Sequence, residues 1–202
     1  PVCDCDHVLD TVVELDDWLT PEECECLIKA AEARAAKVGW GEVKHSNYAT
    51  ADVKVWNLGD RKAIEIFRDG LAEQMREVIA DKFQLPLSMV ELDDGFVVRY
   101  SPEGQSSLNF HRDGSIVSAI VSLSSSDEYE GGGTIFRDGD LYRPERGSGI
   151  LFAGQLQHSG VKVTAGTRYI ATMFFTCGKL SCRDAAVAKD TETDGAKLWQ
   201  DV

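Results

Sequence analysis

The chain has 202 residues, enough for one domain with a sizeable core. With 43% hydrophobic and 27% charged residues it has the composition of an ordinary globular protein, and no apolar run approaches the roughly 18 residues of a membrane span. The formal charge of -13 argues against nucleic acid as a partner, because phosphate recognition requires a basic surface, and leaves room for a basic peptide or amine substrate.

In chain order, residues 1–7 read as a polar, Cys-rich terminus. The chain starts at Pro1, so a trimmed, soluble protein is expected, of cytoplasm or secretory lumen, with its oligomeric state open. Residues 8–15 read as a first strand. Thr20, Pro21 and Glu23 spell a capping box with proline at the first helical position. Cys24, Leu27, Ile28, Ala31, Ala35 and Val38 then follow helical spacing up to Gly39. Residues 40–57 are polar and broken, with Trp40, His45, Tyr48 and Trp56. A loop of this kind can grip a substrate, with His45, Tyr48 and Trp56 as candidates; the alternative is a meandering strand with ordinary aromatic packing, and a surface position for His45.

Ile64, Phe67, Leu71, Met75, Val78, Ile79 and Phe83 predict a second amphipathic helix over about residues 60–82, closed by Pro86. Short strands are then expected at 96–100, 115–123, 134–136, 149–152, 157–163 and 168–176, followed by a charged tail. Helices first and many short strands later suit an α+β, mostly β fold, a double-sheet jelly roll buttressed by N-terminal helices. With no repeat or linker, a single domain over 1–202 is expected, helical support over about 1–90 and a core over about 91–177. Six cysteines are present; Cys3/Cys5 and Cys24/Cys26 lack the usual zinc-knuckle spacing, Cys24 is expected to face the core, and Cys177 and Cys182 flank a turn that a disulfide could close.

The chemistry concentrates in residues 109–176. His111 and Asp113 are one residue apart, so on an extended segment both side chains point the same way. His158 is the only later histidine. Two imidazoles and one carboxylate on one face of an iron leave positions open for other ligands. Taken alone, Asn109 to Ser115 also reads as a polar turn that Gly114 could close into a hairpin. Arg168 lies on an apolar strand whose period of two places Arg168, Ile170, Thr172 and Phe174 on one face. An arginine there needs an anionic partner, and a carboxylate is its natural mate. Gly131, Gly132 and Gly133 are not a phosphate loop, since neither Lys-Ser/Thr nor a helix follows; close backbone approach is the better reading.

His-x-Asp, a distal histidine and an arginine ten positions later resemble the signature of the 2-oxoglutarate/Fe(II) dioxygenases. Tyr129-Glu130-Gly131-Gly132-Gly133-Thr134-Ile135-Phe136 and Gly166-Thr167-Arg168-Tyr169-Ile170 look like segments of the prolyl 4-hydroxylase and procollagen lysyl hydroxylase branch. The likeness is greatest over about 97–175. It implies a double-stranded β-helix, Fe(II) held by His111, Asp113 and His158, and 2-oxoglutarate anchored at its distal carboxylate by Arg168 with help from Thr172. It implies a co-substrate role for Tyr100, for which a core aromatic is the alternative, and leaves Arg99 as a surface residue. O2 and ascorbate would be needed. Related halogenases have Ala or Gly at the carboxylate position, so Asp113 implies hydroxylation. The expected substrate is a peptidyl prolyl or lysyl residue. The alternatives are a free amino acid or other small molecule, or a non-catalytic jelly-roll binding module.

Overall fold

The structure, a computed structural model, describes residues 12–41, 50–83 and 85–177. Helix α1, Pro21–Val38, begins as the capping box predicts: the Glu23 amide donates to Thr20 Oγ1 at 3.2 Å and the Thr20 amide to Glu23 Oε2 at 2.9 Å. Its buried face carries Cys24, Leu27, Ala30, Ala31 and Ala35. Cys24 does face the core, and burial pushes its thiol up to about 11.

The second helical stretch is interrupted. Asp60 caps α2, Arg61–Glu65; a π-helical segment, Ile66–Ala72, follows; α3 is Glu73–Lys82. The expected apolar stripe is present, with Phe67, Leu71, Met75 and Ile79 fully buried. The wider π turn presents Phe67 to Gly95 on the sheet, where an added Cβ would lie 2.6 Å from the ring. The helix stops at Lys82; Pro86 caps a 3-10 turn, Leu87–Met89, rather than closing the helix.

The large sheet is antiparallel. It contains β1 (Val12–Leu15), β2 (Asp52–Lys54), β3 (Val90–Tyr100) and β5 (Val117–Ser122), with β9 (Gly149–Ala153) and β12 (Arg168–Cys177). Their spatial order is β1-β9-β5-β12-β3-β2. A smaller sheet runs in the order β4-β10-β7-β8, from β4 (Leu108–His111), β10 (His158–Gly160), β7 (Thr134–Phe136) and β8 (Leu141–Tyr142). Strands β6 (Tyr129–Gly131) and β11 (Val163–Gly166) form a two-stranded ribbon. The fold is therefore mostly β with helices against one face.

Alternation along β12 separates two cores. Ala171, Met173 and Phe175 join Leu27, Phe67 and Met75 under the helices. Ile170 joins Phe96, Tyr100, Ile120 and Phe152 of the large sheet with Phe136 of the small one, so this second cluster lies between the sheets. Phe136 and Phe152 bridge it edge-to-face at 5.1 Å.

The expected strand at 157–163 is split between β10 and β11, because its halves join different sheets. Strands β2, β4, β6 and β8 were hidden by their brevity and polarity. Arg99 does point away from Tyr100 and stays 31% exposed, stacking 5.7 Å over Trp40 and lying 4.0 Å from Glu32 of α1. Trp40 packs on this helix side of the sheet, 6.2 Å from Tyr169. Among the described residues no helix is long and apolar enough to cross a membrane. Cys3, Cys5 and Cys182 lie outside the described residues, and with them the proposed disulfide partner of Cys177; Cys24 and Cys26 carry free thiols.

Candidate active site

Two strands of the small sheet bring the histidines together. β4 and β10 are antiparallel neighbours in which His111 and His158 are directly opposed, their rings 4.3 Å apart. A cross-strand pair shares a face, so both rings enter the space between the sheets. Asp113 lies two residues beyond the end of β4, not on it, so the expected extended segment is only half realised. Its position is set instead by its backbone amide, which donates to the Gly154 carbonyl at 2.8 Å. Among the described residues, the one cluster of potential metal donors is His111, Asp113 and His158, with ligand atoms all within 4.8 Å of one another. His111 Nε2 lies 3.4 Å from Asp113 Oδ1, and His158 Nε2 3.7 Å from Asp113 Oδ2.

The same local device orients each imidazole. His111 Nδ1 is 2.8 Å from the Asn109 carbonyl, and His158 Nδ1 is 2.9 Å from the Leu156 carbonyl. A carbonyl only accepts, so each Nδ1 carries the hydrogen. In the neutral ring Nε2 then keeps its lone pair, aimed at the common point. Burial, helped by the neighbouring His111 and opposed by Asp113, holds His158 below the ordinary histidine value. Burial acts against protonation of His111 too, but hydrogen bonds to Asp113 and Asn109 outweigh it and raise that ring. Burial likewise opposes ionisation of Asp113, but His111, His158 and Ser118 together hold its carboxyl below the usual range. Asp113 is therefore an anion and His158 a neutral base. This donor set suits a divalent transition metal.

The site opens into a cavity of about 270 Å³ between the sheets. The period-two expectation for β12 holds: Arg168, Ile170, Thr172 and Phe174 all line it, beside Tyr100, Val98 and Phe96 of the neighbouring β3. Arg168 is 1% exposed, its guanidinium 5.7 Å over the Tyr100 ring. Burial depresses its pKa; Nη1 donates a long 3.3 Å bond to the Gly133 carbonyl, and Tyr129 is a further side-chain hydrogen-bond partner. No hydrogen-bond partner is found for the buried Nε, and among the described residues no carboxylate pairs with Arg168. A buried cation left in this state suits an incoming carboxylate. Burial also pushes the Tyr100 hydroxyl up to about 12, so it stays protonated and able to donate.

The glycine run serves this arginine. Gly132 adopts φ 67° and lies where a Cβ would meet the Tyr129 ring at 2.8 Å and Arg168 Cδ at 3.1 Å. Only glycine lets the backbone turn and lie this close to the buried guanidinium.

Of the other expected residues, Tyr100 and Thr172 line the cavity. Trp56 is 42% exposed on a 3-10 turn and does not line it. His45 and Tyr48 lie outside the described residues. The same segment instead contributes Thr50 and Asp52, whose cross-strand partner Val98 is itself a cavity residue. The alternation of Phe96, Val98 and Tyr100 was a readable signal for the β3 wall. Nothing local marked Thr50 or Asp52.

No protein-family profile matches the chain. Procollagen-lysine,2-oxoglutarate 5-dioxygenase 1 of Mus musculus is 39% identical over 89 residues, 42% of this chain and 12% of that protein. The multifunctional procollagen lysine hydroxylase and glycosyltransferase of Caenorhabditis elegans is 33% identical over 136 residues, 64% of this chain and 18% of the relative. The chain thus spans less than a fifth of either relative's length. In fold, the viral collagen prolyl hydroxylase of Paramecium Bursaria Chlorella virus-1 superposes with a TM-score of 0.63 at 23% identity, over 89% of this chain and 100% of that one. In sequence and in fold the chain resembles the 2-oxoglutarate/Fe(II) dioxygenases, and among them the branch of the prolyl 4-hydroxylases and procollagen lysyl hydroxylases, as its motifs imply.

Proposed function

We propose that the chain is a 2-oxoglutarate- and Fe(II)-dependent dioxygenase that hydroxylates an unactivated C–H bond of a peptidyl lysyl or prolyl residue. The observation that carries this reading is one cavity holding both a His111/Asp113/His158 donor set and a buried Arg168 with which no carboxylate of the described residues pairs. We read the two facing sheets as a double-stranded β-helix, and the chain as a single domain built around it.

His111, Asp113 and His158 would hold the iron. When bound, iron supplies the activation of O2 and the oxidative decarboxylation of 2-oxoglutarate, with one oxygen atom entering the substrate and the other succinate. The protein's own residues do the rest. The Asn109 and Leu156 carbonyls fix the imidazole tautomers. Arg168 binds the distal carboxylate of 2-oxoglutarate, Tyr100 and Thr172 supply hydroxyls beside it, and the apolar wall of Phe96, Val98, Ile120 and Ile170 excludes water. These contacts orient the co-substrate before the substrate C–H bond arrives.

Lysyl substrates are favoured over prolyl ones by two observations. The relatives that match in sequence are named for procollagen lysine. A carboxylate, Asp52, lines the cavity beside the Thr50 hydroxyl that donates to it, and complements a cationic side chain. The acidic chain as a whole agrees. The test is mass spectrometry of Lys- and Pro-containing peptides incubated with the protein, Fe(II), ascorbate and 2-oxoglutarate. A gain of about 16 Da, one inserted oxygen, with stoichiometric succinate is expected on lysine. Succinate formation that no peptide stimulates, together with a product from a free amino acid, would replace the peptide reading with a small-molecule one. No succinate under any condition would leave a binding module.

A further inference from the structure

The inner face of β5 carries a serine where its surroundings call for an apolar side chain. Ser118 is fully buried, opposite Phe152 of β9 on one side and Phe174 of β12 on the other. A buried hydroxyl in such a place must be hydrogen-bonded. Ser118 Oγ lies 2.5 Å from Asp113 Oδ2 and 2.7 Å from Ser115 Oγ. The directions follow from the proton count. A hydroxyl has one hydrogen, and an ionised carboxylate only accepts. The Ser118 hydrogen therefore goes to Asp113, and Ser115, itself 3% exposed, donates to Ser118. Each bond polarises the next along this chain of hydroxyls.

We infer that Ser118 is a positioning residue that makes Asp113 a one-oxygen ligand. This rests on the reading of His111, Asp113 and His158 as an iron site. The Asp113 main chain is already held by its bond to the Gly154 carbonyl, so the carboxylate's remaining freedom is rotation about its side chain. The charge-assisted bond from Ser118 restrains that rotation and takes up one lone pair of Oδ2, which disfavours Oδ2 as a second ligand atom. Oδ1, 3.4 Å from His111 Nε2, keeps its lone pairs for the ion. The consequence lies in the coordination count. Two imidazoles and one oxygen leave an octahedral ion three positions, enough for a two-oxygen chelate and O2; a carboxylate binding through both oxygens would leave too few.

Titration of the apo protein with Co(II), an O2-inert stand-in for Fe(II), tests this. Calorimetry gives the affinity, and the visible d–d absorption reports the coordination number before and after 2-oxoglutarate is added. The wild type should bind one Co(II); if it binds none, the iron-site reading itself fails. Ser118→Ala and the volume-matched Ser118→Cys should bind Co(II) about 10- to 100-fold more weakly, with a changed absorption band and a weakened response to 2-oxoglutarate. A purely structural serine would leave the band unmoved in whichever variant folds, as judged by apo thermal melts. Wild-type affinity and spectrum in either folded variant overturns the inference. If neither folds, Ser115→Ala decides: loss of its donation should weaken Co(II) binding several-fold, and unchanged binding overturns the proposal.

Discussion

Strands β3 and β12 have two faces built on opposite terms. On the helix side, Ala171, Met173 and Phe175 are almost wholly buried against α1, α3 and the π segment, with Tyr169 anchored to Glu32 at the rim. On the cavity side, the same backbone carries Arg168, Thr172 and a buried Tyr100 around space. One face is filled with apolar contacts that stabilise the fold; the other keeps a charge dehydrated with no carboxylate of the described residues beside it, which opposes folding. The difference teaches that stability and chemistry are divided across a single sheet by side-chain alternation. Mutations on the two faces should therefore separate into two kinds.

The largest effect is expected from His158→Ala. Removing one imidazole should lower Fe(II) affinity and turnover by well over about 100-fold, since loss of a mere supporting partner already costs about 10- to 100-fold. The apo protein should still fold, though less stably, because the lost ring is buried beside Phe152 and its Nδ1 hydrogen satisfies the Leu156 carbonyl. Succinate release and a thermal melt check both; a variant with wild-type turnover removes His158 from the ligand set.

Met173→Ala probes the other face. Met173 is fully buried between Gly95 of β3 and Ala119 of β5 in register. Truncation should destabilise by about 2–5 kcal/mol in urea unfolding, with kcat/KM per folded molecule unchanged. A matching fall in kcat/KM would show that the two faces are not independent.

Arg168→Gln reverses that pattern. The loss of a charge-assisted bond to 2-oxoglutarate, worth about 1.5–3 kcal/mol, should raise its KM by on the order of 10- to 100-fold. The apo protein should be no less stable, because the variant no longer buries an unpaired charge. Addition of 2-oxoglutarate should raise the melting temperature of the metal-loaded wild type and not of the variant. Equal shifts in both would show that the co-substrate is anchored elsewhere.

This division also explains what the sequence revealed. That His111, Asp113 and His158 would meet beside Arg168 was legible because the proposed metal and carboxylate chemistry restricts residue type, and strand alternation fixed which neighbours of Arg168 share its face. The capping box at Thr20 and the buried stripe of Phe67, Leu71, Met75 and Ile79 were legible from local spacing. Ser118 was not, because its importance depends on β5 lying beside both β9 and β12 and on a turn that brings Asp113 over it. Asp52 was hidden in a three-residue strand whose cavity-facing side is set by pairing with β3. Trp56 was expected near the substrate and lies outside the cavity for a similar reason: an aromatic in a polar stretch does not reveal which side of a distant sheet its turn will reach.

The smallest effect tests whether the helix layer merely supports the sheet or also tunes the cavity. Thr20 is exposed, far along the chain from the ligands, and its side chain accepts the Glu23 amide in the capping box. Thr20→Ala frees that amide at the start of α1 and should destabilise by about 1 kcal/mol. For a chain of this size the melting temperature should fall by about 2–4 °C. Helix α1 meets the sheet only through the face opposite the cavity, where Leu27 and Ala31 pack. A softened first turn should therefore leave the KM for 2-oxoglutarate and the Co(II) spectrum untouched. A shift in either would mean that strain in α1 reaches Arg168 through the strand it shares with Tyr169, whose hydroxyl donates to Glu32 of that helix.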